Sequence, residues 1–181
     1  HQMLVMEHEN ILHEWINSDY VHLMQIFSNL LSNAVKYTQD GGTIQFHVEE
    51  CEANFSLYAK YRFSVSDNGM GISADFKDVI FDAFTRAESS ITNKIQGTGL
   101  GMAITRNLVK AMGGTIDVES ELGQGSCFEV YMDFKIAEKQ SVSLASQAEK
   151  DEPDDDILKG MRFLCAEDNA LNAEILTELL K

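Results

Sequence analysis

At 181 residues the chain can hold one good hydrophobic core and a remainder, with little room for a second full domain. A hydrophobic content of 44%, with ten Phe and five Tyr, excludes wholesale disorder. The formal charge of -15 excludes an extended nucleic-acid or anionic-membrane surface, and no basic patch hides in the average: residues 1–136 carry nine Lys/Arg against eighteen Asp/Glu, residues 137–181 five against eleven.

Along the chain, Leu23, Ile26, Phe27, Leu30, Leu31, Ala34 and Val35 recur at three and four, which predicts a helix over 19–38 with Asp19 as its cap and Gly41-Gly42 beyond its end. Ile44, Phe46 and Val48 alternate, as do Phe55, Leu57, Ala59, Tyr61, Phe63 and Val65, predicting a long antiparallel pair with one buried face that leads into Asp67-Asn68-Gly69. A short helix is expected between Ser73 and Ile80. Residues 85–98 are polar and without period, the composition of a long functional loop. A second long helix runs from Leu100 through Ile104, Leu108 and Met112 to Gly113-Gly114. A closing hairpin follows, with Ile116 and Val118 on one strand, Gly123-Gln-Gly125 at the turn and Phe128, Val130, Met132 and Phe134 on the other. The class is an α/β two-layer sandwich, a mixed and mostly antiparallel sheet with helices on one face.

Residues 137–159 shift to an acidic, solvated linker around Pro153, and 160–181 read as a buried strand ending in Glu167-Asp168 with the start of a helix. Cys51, Cys127 and Cys165 are odd in number and lack metal or redox spacing, which fits a reducing cytoplasm. No run has transmembrane length and no signal peptide opens the chain; it begins without Met and reads as an excised piece of a parent that could itself be membrane-anchored.

Four segments carry chemistry. Asn29 and Asn33 are one helical turn apart, so their amides share a face, and Lys36 and Tyr37 follow. Asp67 closes a strand and precedes Gly69, Gly71 and Ile72. Phe81-Asp-Ala-Phe84 leads into the polar loop. Gly97-Thr98-Gly99-Leu100-Gly101 opens the second helix, where free backbone N–H groups can face phosphate. It is neither a Walker A loop, since no Lys-Ser/Thr follows, nor a dinucleotide fingerprint, since its third glycine comes one residue early.

In order and spacing these segments resemble the N, G1, F and G2 boxes of the sensor histidine kinase catalytic domain, a branch of the GHKL (Bergerat-fold) ATPases, over roughly residues 10–134. The resemblance implies an ATP site: Asn33 as the Mg²⁺ ligand, Asn29 supporting it or a phosphate, Lys36 near phosphates, Tyr37 as a wall for adenine, and Asp67 as acceptor for the adenine amino group. It implies an ATP lid carrying Arg86 and Lys94, for which plain solvated cations are the alternative, with Phe84 as its anchor. The stretch Gly113-Gly114 through Phe128 takes a structural role. Position 29, where gyrase-type and chaperone-type relatives carry a water-activating Glu, holds Asn, which favours phosphoryl transfer over hydrolysis.

The C-terminal segment resembles the start of a response-regulator receiver domain, implying a hybrid kinase: residues 1–136 the catalytic domain, 137–159 a linker, 160–181 a truncated receiver. His8 and His13 precede Glu without the Arg-x-Pro pattern of a phosphoacceptor, so both are read as solvated or packing histidines in the approach to the first helix. The acceptor His is expected on a separate dimerisation domain, the isolated chain is expected to be a monomer and its parent a cytoplasmic homodimer portion. A degenerate binding module without turnover is the alternative.

Overall fold

The computed structural model describes residues 1–53, 56–85 and 98–138. In chain order these form β1 (Met3–Glu9), β2 (Ile16–Asn17), α1 (Tyr20–Tyr37), β3 (Thr43–Cys51), β4 (Tyr58–Asp67), α2 (Ala74–Lys77), α3 (Gly101–Ala111), β5 (Thr115–Glu121) and β6 (Gly125–Ile136). The sheet runs β1-β3-β4-β6-β2, with β5 also paired to β6. Only the β1–β3 pair is parallel among the described strands.

The helix α1 starts where Asp19 accepts the His22 backbone N–H at 3.0 Å, which satisfies one of the first-turn donors. It ends where the Thr38 N–H reaches the Ala34 carbonyl at 3.0 Å. Ile26, Leu30 and Ala34, spaced four apart, are its buried stripe. On α3 the matching residues are Ala103, Thr105 and Val109.

Both helices cover the sheet face formed by Ala59, Tyr61, Phe63 and Val65 of β4 and Phe128, Val130, Met132 and Phe134 of β6. The register sets Phe63 beside Val130 and Val65 beside Phe128, so alternation in each strand produces one continuous apolar surface. Ile26, Val109 and Val130 are wholly buried, each stabilising the fold by about 1.5–3 kcal/mol relative to exposure. The Phe27 ring joins helix to sheet, 4.8 Å from Phe63 and 5.4 Å from Phe46. The opposite face is polar: Arg62 lies 2.6 Å from Glu49 and 3.2 Å from Glu129.

The two-layer architecture expected from the sequence is therefore present, with three differences. The first is β1, which carries His8 in a strand instead of an approach to the helix. Its residues are mostly exposed, so no apolar alternation marks it. The second is β2, whose two residues pair with Lys135 and Ile136 and are too few to show a period. The third concerns β4, which begins at Tyr58: Leu57 sits in the preceding turn and is exposed, and Phe55 lies outside the described residues. Outside them too lie the linker beyond residue 138, the receiver-like segment 160–181 with Cys165, and most of the 85–98 loop, including Arg86, Lys94 and Gly97.

Candidate nucleotide site

The two long helices meet through the N-box amides. The Asn29 Nδ2 donates to the Gly101 carbonyl at 3.3 Å and to the Thr105 hydroxyl at 3.2 Å, tying the middle of α1 to the first turn of α3. Thr105 is fully buried, so this acceptor is shielded from competing water. One turn along, Asn33 Nδ2 lies 3.1 Å from the Met102 sulfur. Its carbonyl oxygen takes no hydrogen bond among the described residues. The first N–H groups of α3, at Gly101, Met102 and Ala103, have no helical carbonyl four residues behind them and give this corner a positive edge.

Where α1 ends, the Tyr37 carbonyl accepts the Met70 N–H at 3.1 Å, and Gly69 is buried against the same carbonyl. This joins the end of the N box to the loop after Asp67. In that loop the Gly69 N–H donates to Asp67 Oδ1 at 2.8 Å, and Asn68 Oδ1 accepts the Thr43 N–H at 2.8 Å. Burial pushes the Asp67 carboxyl above its ordinary value, partly offset by the Gly69 and Ser126 backbone N–H groups. Tyr37 itself is about one-third exposed at 37% and Lys36 is exposed, bonded to nothing among the described residues.

The two ends of the polar loop are also fastened. The Phe84 N–H donates to the Gly99 carbonyl at 3.1 Å, and the Thr85 hydroxyl reaches the carbonyls of Asp82 at 2.6 Å and Val79 at 3.0 Å. Leu100 N–H meets the Thr98 hydroxyl at 3.4 Å. Phe84 has a φ of 65° and its ring is 76% exposed, so it holds this junction through its backbone. The ring that packs inward is Phe81, edge-on to Phe128 at 6.5 Å with the Arg106 guanidinium 5.6 Å away.

Thus Asn29, Asn33, Tyr37, Asp67, Gly69, Phe84, Gly99 and Gly101 belong to one hydrogen-bonded assembly, whereas Arg86, Lys94 and Gly97 lie outside the described residues. The sequence reading quoted Phe81 within its segment but gave the anchoring role to Phe84, and it did not single out Thr105 or Met102. Each is an ordinary apolar or small residue whose role depends on which helix it faces. An open hollow of about 540 Å³, lined by Ser66, Lys77, Glu119 and Cys127, also touches Asp67. Ser120, Gly125 and Ser126 line it as well, so it adjoins this assembly at Asp67, while none of Asn29, Asn33 and Tyr37 lines it.

A sheet layered under two helices, with an amide-bearing helix face, a half-buried Asp and a helix start converging at one end, defines a nucleotide-binding α/β class. Residues 18–136 match the histidine kinase-, DNA gyrase B-, and HSP90-like ATPase family, and the chain belongs to it as a catalytic domain of the sensor histidine kinase type.

The chain is 38% identical over 159 residues to the sensor histidine kinase AruS of Pseudomonas aeruginosa, covering 88% of this chain and 15% of that protein. It is 35% identical to the autoinducer 2 sensor kinase/phosphatase LuxQ of Vibrio parahaemolyticus, over 96% of this chain and 20% of that one. Among solved structures, full-length ShkA in complex with AMPPNP superposes with a TM-score of 0.60 at 33% identity, covering 75% of this chain and 26% of that chain. The nucleotide-free catalytic domain of histidine kinase ThkA gives 0.57 at 26% identity, with 73% and 80% coverage. The chain spans 15% and 20% of the length of these two curated relatives.

Proposed function

We propose that this chain binds Mg·ATP and donates the γ-phosphate to a histidine on a separate dimerisation domain of a hybrid sensor kinase, with relay onward to a receiver aspartate. The observation that carries this reading is the direct bonding of all four motif segments: α1 to α3 through Asn29, α1 to the Asp67 loop through Tyr37, and the two loop ends through Phe84 and Gly99. An assembly so joined holds a nucleotide's base, sugar and phosphates to one geometry. Further support comes from the AMPPNP in the ShkA complex and from the LuxQ match, which extends well past residue 136 and suits a receiver beginning near residue 160.

In this reading Asp67 accepts the adenine amino group. Guanine presents a carbonyl there, and the two facing acceptors cost about 1–3 kcal/mol. Tyr37 supplies a flat wall beside the base. The Asn33 carbonyl oxygen, unbonded among the described residues, is the donor type a hard cation takes, so the residues fit magnesium, and Asn33 would hold it. Magnesium, when bound, neutralises charge on the β- and γ-phosphates. The start of α3 faces the phosphate chain with backbone N–H groups, while Lys36 and the lid cations Arg86 and Lys94 offset its charge.

Asn29 is a tie between helices and has no basic carboxylate to activate water, so γ-phosphate is kept for the incoming histidine. His13 is not that histidine: its Nδ1 lies 2.5 Å from Glu50 at the far end of the sheet. The test is calorimetric titration of the folded chain with ATP, with and without Mg²⁺, and with GTP. Magnesium-assisted ATP binding that excludes GTP is the expected result. Absence of ATP binding would overturn the reading and leave a non-catalytic interaction module.

A further inference from the structure

The β5–β6 hairpin, to which the sequence assigns only a structural role, reaches into the base-binding loop. Asp67 of β4 sits opposite Ser126 of β6, and Ser126 opposite Ser120 of β5, so the three form one row across the sheet. The row lies on the helix-facing side, two residues on from Val65, Phe128 and Val118. Ser120 Oγ lies 2.7 Å from the Gly125 carbonyl, 2.9 Å from the Ile72 N–H and 3.0 Å from Ser126 Oγ. A hydroxyl has one proton and two lone pairs. The Gly125 carbonyl can only accept, so it takes the Ser120 proton. The Ile72 N–H can only donate, and Ser126 therefore donates the third bond. All the capacity of Ser120 is used.

Two further contacts fasten the same loop to the same hairpin. The Gly123 N–H donates to the Met70 carbonyl at 2.8 Å. Gly71 lies so close to the hairpin that a Cβ there would be 2.0 Å from the Glu121 carbonyl oxygen. The loop from Asp67 to Ile72 is thus held between α1, through Tyr37, and the hairpin tip, through Ser120 and Gly123. Ser120 is the only side chain among the described residues that bonds the loop's far end at Ile72.

We propose that Ser120 is a positioning residue for nucleotide recognition: its hydroxyl fixes the loop that presents Asp67, and so sets how closely the carboxylate meets the base. The proposal rests on the reading of Asp67 as the adenine acceptor. In this role Ser120 acts through the loop. Removing its hydroxyl leaves the Ile72 N–H, the Gly125 carbonyl and the Ser126 hydroxyl without their partner, and the loop loses its anchor on the side away from α1.

The test compares wild type, Ser120→Ala and Ser120→Thr by ATP calorimetry and by residue-resolved amide exchange without nucleotide. Ser120→Ala is expected to raise the ATP Kd about tenfold and to speed exchange at Ile72 by a similar factor, leaving Val109 and Val130 unchanged. Ser120→Thr keeps the hydroxyl and is expected to restore both. A merely structural serine would instead accelerate exchange across Val109 and Val130 together. That pattern, or Ser120→Ala with wild-type Kd, would overturn the role of Ser120 while leaving the ATP site standing. A wild-type chain that bound no ATP would overturn the underlying reading, and this role with it.

Discussion

Asp67 answers to two opposed demands. Its carboxyl is pushed above its ordinary value by burial, so ionisation costs stability: that cost is absent at pH below the unfolded value and is incurred as pH rises through the folded one. In the proposed role, however, the ionised carboxylate is the stronger acceptor for an adenine amino group. Asp67→Asn is therefore expected to be as stable as wild type, or more stable, at neutral pH, while its ATP Kd rises about 10- to 100-fold. A thermal melt and a titration on the same sample check both halves; a strongly destabilised variant would contradict the burial argument. Asn33 has a simpler position. Its amide nitrogen is occupied by Met102, leaving the carbonyl as its free group. Asn33→Ala should leave magnesium-free ATP binding nearly intact and reduce the gain conferred by Mg²⁺ about tenfold or more, measured by paired titrations with and without chelator.

Among the elements, the β5–β6 turn shows how tightly the loop and hairpin fit. Gly125 has a φ of 102°, and an added Cβ would lie 1.9 Å from the Asp67 carbonyl oxygen, backbone that cannot swing aside. Gly123 also has positive φ, at 84°, but opens onto free space. Gly125→Ala should then cost about 3 kcal/mol or more, from strain plus overlap, and Gly123→Ala about 1–2 kcal/mol from strain alone. Urea midpoints of the two variants distinguish them, and equal losses would show that overlap contributes nothing. The same elements explain what could be read without coordinates. The helices α1 and α3 and the strands β4 and β6 each bury one face, so their period is written in Ile26, Leu30 and Ala34 or in Phe128, Val130 and Met132. An edge strand such as β1, with Met3, Leu4 and Met6 exposed, has no face to encode. In the candidate site, Asn33, Asp67 and the glycines drew notice through the order and spacing of their four segments, each weak alone. Thr105 and Ser120 did not, because a small hydroxyl acquires its role only from a neighbour many residues away.

At the scale of the whole molecule, residues 10–15 cross the end of the sheet from the β1 edge to the lane of β2 beyond β6, so one short strap secures both sides. Glu50 and Tyr61, cross-strand neighbours on β3 and β4, grip it at one place. The Glu50 carboxylate accepts the backbone N–H groups of Leu12 at 2.6 Å and His13 at 2.8 Å, and the His13 ring at 2.5 Å. The Tyr61 hydroxyl donates to the His13 carbonyl, and burial raises that phenol to about 12, so it remains a donor at every relevant pH. Burial alone would raise the Glu50 carboxyl, but the His13 ring and the two backbone donors outweigh it and bring it below its ordinary 4.5. A lowered acid stabilises the fold above 4.5 and loses that contribution as pH falls through the folded value. Glu50→Gln keeps the shape and an amide oxygen for the two backbone N–H groups, but it removes the negative charge that strengthens those bonds and the contact with the His13 ring. Its melting midpoint should therefore fall below wild type at neutral pH, and the gap should narrow as pH drops below 4.5 and wild-type Glu50 takes up its proton. Because the strap joins both edges, amide protection should fall in β1 and β2 together, while a gap constant with pH would mean that the carboxylate charge is not what holds the strap.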